Sequence, residues 1–303
     1  MAEFEIRPRG PFSLAAAQDF AGGFPAGIGG GSVGEQSIAM AFPIEGTDSS
    51  AAVDIRQRED GVVVGRTDAP TELLEAVRRQ AARSLSLDHD GTDWPAVGQR
   101  DPVIGTFQEA HGFLRPVCFY SAYEAATSFV IGQRIAMHQS ARIKRWLGEQ
   151  LGDRPTIGGQ EFVAFPRPER LFEMSVVPGL NQKKVGWLKG IAGAAIGGRL
   201  DTQRLGGMGR EEALARLREL PGVGPFTAEA VWLRGCGIVD ELPSSEDVSV
   251  TAEREMYGRP QMTRDEFVEL AEEWRPYRMW ATVLLRVGWG RRAGRQSYRQ
   301  PPS

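Results

Sequence analysis

The chain has 303 residues with a hydrophobic content of 41%, enough to bury a sizeable core, and its length corresponds to about two domains. The net charge of −3 argues against a general polyanion binder that coats long DNA, although it leaves room for local contacts. No apolar run approaches the ~20 residues of a membrane span, and the first residues lack the basic and apolar regions of a signal peptide, so a cytosolic protein is expected.

Two cysteines, Cys118 and Cys236, are too few for a four-cysteine iron–sulfur or zinc site, and both sit in apolar surroundings that suit reduced core thiols. His89, His111 and His138 are far apart in sequence, which argues against a histidine-rich metal centre. The chemistry is therefore expected from carboxylates or backbone, with no cofactor.

The first part alternates in a strand-like way. Phe4-Glu5-Ile6-Arg7 reads as a strand, Ser13 caps a helix running to Phe20, and residues 37–44 read as a second strand. Between them Gly27-Ile28-Gly29-Gly30-Gly31 reads as a flexible loop. Residues 51–57 and 62–66 flank Glu59-Asp60-Gly61, a hairpin signal because Asp-Gly suits the positive dihedrals of a tight turn. Residues 73–85 follow as an amphipathic helix. Residues 1–98 thus read as a small antiparallel sheet with two helices, closed by a loop over residues 88–92.

From about Asp101 the pattern turns helical. Ser121 with Glu124, and Thr263 with Glu266, are capping-box signatures. Residues 185–196 place Leu188, Ile191, Ala192, Ala195 and Ile196 on one face and end at Gly197-Gly198. Pro276 forces a break before residues 277–287. Positive charge gathers at Arg142, Lys144 and Arg145, at Lys183 and Lys184, and in a basic tail, residues 291–303, that is expected to be disordered. The fold class is α+β, with an all-α domain over residues 101–290.

Within that domain, residues 217–234 carry the strongest signal. Leu214, Leu217 and Leu220 recur every third residue, so one helix buries that stripe and stops at Pro221. Gly222 and Gly224 tolerate unusual dihedrals and let the backbone approach a bulky partner. Pro225 suits the first turn of a new helix, whose leading N–H groups lack intrahelical acceptors and point at an arriving anion such as a DNA phosphate. Asp247 follows downstream as a candidate carboxylate.

In these residues the chain resembles the helix-hairpin-helix DNA glycosylase superfamily, most closely its 3-methyladenine DNA glycosylase II branch. The resemblance covers nearly the whole chain and is most specific from Leu220 to Asp247. It implies two helical subdomains around a cleft into which a damaged base is flipped from double-stranded DNA, at a cost of a few kcal/mol. It implies that Leu220, Gly222, Val223, Gly224 and Thr227 form a phosphate-gripping hairpin, with a monovalent cation possible on its backbone carbonyls and no other metal. In Ile131-Gly132-Gln133-Arg134-Ile135, Arg134 is either the wedge that fills the vacated space or a surface arginine, and Gln133 is a rival for the polar contact there.

Asp247 would stabilise the positive charge that builds on the sugar as the N-glycosidic bond breaks. The alternative is that it caps the next helix, with Glu246 as the nearest rival carboxylate. Members that also cut the strand place a nucleophilic lysine where this chain has Phe226. Base release without strand cleavage is therefore expected, with Phe226 stacking on the base or serving as a core ring, and Phe20 as a second ring. Ala230, Val248 and Arg286 stand where aromatic residues would sandwich a cationic base, so a neutral alkylated, deaminated or oxidised base competes with an alkylated cationic one. The reading is a monomeric, monofunctional enzyme of base excision repair. Its rivals are an oxidised-base glycosylase/lyase and a non-catalytic damaged-DNA binder.

Overall fold

The computed structural model describes residues 1–22, 37–244 and 247–292, with backbone alone at residues 22, 247–250, 291 and 292. The Gly27–Gly31 loop, Glu246 and the tail beyond residue 292 lie outside the described residues.

The chain opens with strand β1 (Ala2–Ile6) and helix α1 (Leu14–Gly22), followed by β2 (Ser37–Pro43), β3 (Ser50–Gln57) and β4 (Val63–Thr67). These strands form one antiparallel sheet in the order β1-β4-β3-β2. The Ser13 hydroxyl caps α1 by accepting the Ala16 N–H at 3.2 Å. Gly61 closes the β3–β4 turn at φ 81°, as Asp-Gly requires. Opposite Phe4 in the register stands Gly65, where any Cβ would meet the Phe4 ring at 2.1 Å. One face of the sheet packs Phe4, Met40, Phe42, Val53 and Ile55 against α1 and against α2 (Leu74–Ser84). The other face is covered too: Ala39, Ala41 and Ala52 meet Ile157, Phe162 and Ala164. Burial on both faces explains why β2 is apolar nearly throughout rather than alternating.

Helices α3 (Trp94–Arg100), α4 (Pro102–Ala110), α5 (Ala122–Gly132) and α6 (Met137–Leu151) come next. Residue 98 falls inside α3, and Trp94 and Val97 pack into the helical core rather than beneath the sheet. A two-residue hairpin, β5 (Thr156–Ile157) and β6 (Gln160–Glu161), precedes α7 (Pro168–Glu173), α8 (Gln182–Ile196), α9 (Thr202–Gly206), α10 (Arg210–Arg218) and α11 (Pro225–Gly235). The chain closes with α12 (Asp247–Met256), α13 (Arg264–Glu272) and α14 (Arg278–Arg292). The fold is thus α+β, a four-stranded antiparallel sheet followed by a helical body.

Several local expectations shift. Asn181 caps α8 by accepting the Lys184 N–H at 2.9 Å, so the helix starts earlier than residue 185, and Ile196 at its end is exposed. On α10, Ala213 and Leu217 are buried whereas Leu214 is only partly so, because the 3.6-residue period swings every third residue off the face. Thr263 and Glu266 make both halves of a capping box. Ser121 and Glu124 make only one: Ser121 accepts the Glu124 N–H, but the Glu124 carboxylate accepts from the Tyr120 N–H instead.

Helix α5 is buried almost throughout and is the body's central rod. It crosses α11 closely, since a Cβ on Gly235 would lie 2.8 Å from the Ala125 methyl. That crossing brings the end of α5 beside the turn between α10 and α11.

Candidate active site and nucleic-acid interface

The turn between α10 and α11 is anchored from below. Leu220 and Val223 are buried, and α8 supports the loop through two side-by-side contacts. Gly190 leaves room for Pro221, whose ring a Cβ there would meet at 2.4 Å. Gly222 sits at φ +77°, and a Cβ on it would lie 2.6 Å from the Trp187 ring. The close approach that demands glycine at residue 222 is therefore to α8 of the same chain. Gly224 differs: its backbone is extended at φ −87° and ψ −178°, and nothing stands within 4 Å of a Cβ built there. It keeps the start of α11 uncovered rather than supplying an unusual dihedral. The first N–H groups of α11 have no acceptor within the helix and form the electropositive end that suits an anion.

The polar residues expected at the DNA surface divide in two. The Gln133 amide donates to the Gly222 carbonyl at 2.8 Å and to the Thr227 hydroxyl at 3.2 Å, tying the end of α5 to the hairpin. Thr227 is buried, so its hydroxyl is spent inside the protein and only its backbone faces the helix start. Lys184 donates to the carbonyls of Ile131 (3.0 Å) and Gln133 (2.5 Å), satisfying the end of α5, and its burial lowers its ammonium pKa. Lys144 also turns inward, where burial lowers its pKa against the buried Glu124. Arg134 is exposed at the tip, with its backbone at φ +57°, a conformation a non-glycine residue rarely adopts. Lys183 is exposed with its ammonium 5.2 Å from the Trp187 ring, beside the hairpin.

Behind the hairpin lies a cavity of about 130 Å³. Its walls include Phe129 of α5, Phe226, Glu229 and Ala230 of α11, and Met279 and Arg286 of α14. Phe226 is 45% exposed, held by an edge-to-face contact with Phe129 at 6.4 Å. It is a rim ring, not a core ring. Ala230 leaves open the wall one turn along. Arg234, also in the wall, donates to the Val117 carbonyl at 2.6 Å and carries the Phe20 ring 5.5 Å from its guanidinium. Phe20 is therefore behind Arg234, outside the described lining. Asp247 opens α12, while its side chain and that of Val248 lie outside the described residues.

No protein-family model matches the chain. It is 27% identical over 209 residues to a DNA-3-methyladenine glycosylase of Bacillus subtilis, covering 66% of this chain and 68% of that one. It is 29% identical over 192 residues to DNA-3-methyladenine glycosylase 2 of Escherichia coli, covering 60% of this chain and 63% of that one. The solved 3-methyladenine DNA-glycosylase of Archaeoglobus fulgidus shares the fold at a TM-score of 0.76 and 20% identity, over 96% of this chain and 99% of that one. The chain is thus similar in sequence to DNA-3-methyladenine glycosylases and shares the fold of a solved one.

Glu229 and Phe129 of the cavity do not follow from the sequence, for different reasons. Glu229 follows Phe226 by three residues on α11, so helical spacing already puts them on one face with Ala230 and Leu233. A charge between apolar neighbours there was the available signal. Phe129 carried none, because its place opposite Phe226 depends on how α5 and α11 cross.

Proposed function

We propose that the chain is a monofunctional DNA glycosylase that flips a damaged, alkylated base from double-stranded DNA and releases it by hydrolysis. The observation that carries the reading is the half-exposed Phe226 ring on the rim of a cavity directly behind the hairpin. The cavity's size and its two rings suit a single flat heterocycle, and stacking there offsets part of the cost of extrusion. The relatives named as 3-methyladenine glycosylases support the same reading.

The hairpin from Leu220 to Gly224 grips phosphate with the leading N–H groups of α11, so it holds the duplex without reading sequence. Arg134, presented at the tip of the neighbouring turn, enters the space the base leaves. Asp247 stabilises the positive charge that develops on the sugar and orients the attacking water. Phe226 offers no amine for a Schiff base, so the strand stays intact after release. The protein acts as a monomer.

The test is to incubate the protein with methylated duplex DNA, chromatograph the released bases, and probe strand integrity with and without alkali. Free methylated base with breaks only after alkali is expected, and Asp247→Asn should lower release by about a hundredfold or more while retaining duplex affinity. Breaks without alkali would remove the monofunctional reading. No release of methylated base would remove the alkylation reading.

A further inference from the structure

The residues leading into α12 are held by a polar cluster that the reading above does not use. Glu229 lies on the cavity face of α11 with only 2% of its side chain exposed. Its carboxylate accepts the Ser244 backbone N–H at 2.8 Å and the Ser244 hydroxyl at 2.7 Å. Arg210, at the start of α10, pairs with the same carboxylate and donates to the Ser244 hydroxyl at 3.0 Å, the Leu242 carbonyl at 3.2 Å and the Glu241 carboxylate at 3.1 Å. From α13, Arg264 donates to the Pro243 carbonyl. The strap over residues 241–244 is thus bound at every residue to a neighbouring helix.

A carboxylate is expensive to bury and is kept only where its bonds are satisfied, so this one is best explained by what it holds. What it holds is close to the chemistry. Ser244 stands three residues before Asp247, and at no more than about 3.6 Å per residue the chain itself keeps the Asp247 backbone within about 11 Å of Ser244, so fixing Ser244 limits where α12 can start.

We propose that Glu229 is a positioning residue for base release: with Arg210 it anchors the strap over residues 241–244, so that α12 begins at the cavity with Asp247 in reach of the sugar. This rests on the reading of Asp247 as the catalytic carboxylate.

The experiment compares Glu229→Ala, Glu229→Gln, Ser244→Ala and Asp247→Asn. Two quantities are read: single-turnover release of methylated base from methylated duplex, and affinity for a duplex carrying a tetrahydrofuran abasic analogue. Glu229→Ala should slow release by about tenfold to a hundredfold, the scale of a small misplacement, with abasic-duplex affinity within about threefold of the parent. Glu229→Gln, whose amide oxygen still accepts both Ser244 bonds, should recover part of the rate. Ser244→Ala, at an exposed site that leaves the core intact, should slow release several-fold.

Release at the parent rate in Glu229→Ala overturns the proposal, as does a parallel loss of rate and abasic-duplex affinity or a Glu229→Gln no faster than Glu229→Ala. If Glu229→Ala does not fold, Ser244→Ala decides, and a parent rate there overturns it. An Asp247→Asn variant that releases base normally removes the catalytic reading itself. Normal release in Glu229→Ala beside an inactive Asp247→Asn removes only the positioning role.

Discussion

Glu124 on α5 and Lys144 on α6 are both buried and carry opposite charges. Burial pushes the Glu124 carboxyl up and the Lys144 ammonium down, and each charge draws the other back toward its ordinary value. A carboxyl whose folded pKa is raised contributes most to stability below its ordinary pKa and loses that contribution as pH rises through the raised value. Replacing Lys144 by methionine leaves Glu124 buried with no opposing charge and raises its carboxyl further. The loss should therefore be small near pH 5 and grow toward pH 8. Denaturant unfolding of Lys144→Met at both pH values checks this, and the Glu124→Gln/Lys144→Met double variant should recover most of the loss and its pH dependence. An equal loss at pH 5 and pH 8 would count against the account. Read from sequence, Lys144 looks like one of three basic residues on a solvated helix, because nothing local shows that Glu124 lies across from it.

At the scale of elements, the α10–α11 hairpin contains two glycines that do different work. Gly222 has a positive φ and a ring against its Cα, so Gly222→Ala should cost about 1–3 kcal/mol of stability and weaken DNA binding with it. Gly224 is extended beside open space, so Gly224→Ala should change stability by no more than about 0.5 kcal/mol. Its effect should appear in DNA affinity, where a methyl covers the start of α11. Thermal unfolding combined with binding to an abasic duplex separates the two, and a Gly224→Ala variant as unstable as Gly222→Ala would contradict the assignment. Pro221, Gly222 and Pro225 made the turn legible in the sequence, because their dihedral limits act within a few residues. Which glycine met the protein and which faced outward was not legible, since Trp187 reaches Gly222 from a different helix.

For the whole molecule, the net charge of −3 coexists with outward cationic groups at Arg134, Arg142, Arg145 and Lys183 near the α5–α6 turn and the start of α8. Binding that depends on such contacts and on helix-start N–H groups releases counterions, with a log–log salt slope of about −0.9 per phosphate engaged. Affinity for an abasic duplex should therefore fall steadily between about 50 and 200 mM salt while changing little with flanking sequence. Fluorescence anisotropy across a salt series checks this, and a salt-independent affinity would argue for a mainly apolar interface.

The short β5–β6 hairpin was not read, whereas the four strands of the larger sheet were legible from their residue pattern, and the Asp-Gly turn, the Ser13 and Thr263 caps and the hairpin around Pro221 followed from dihedral preference and from partners within about four residues. The resemblance to the glycosylase superfamily was carried by the same local segment. The destinations of the polar side chains did not follow. Gln133, Thr227, Lys144, Lys184 and Glu229 each carry groups that suit either solvent or a buried partner, and the choice rests on an acceptor or donor brought from elsewhere in the chain by the packing of α5, α8 and α11. Burying a polar group is favourable only where that partner is already in place, which is a property of the assembled helices and not of any stretch of sequence.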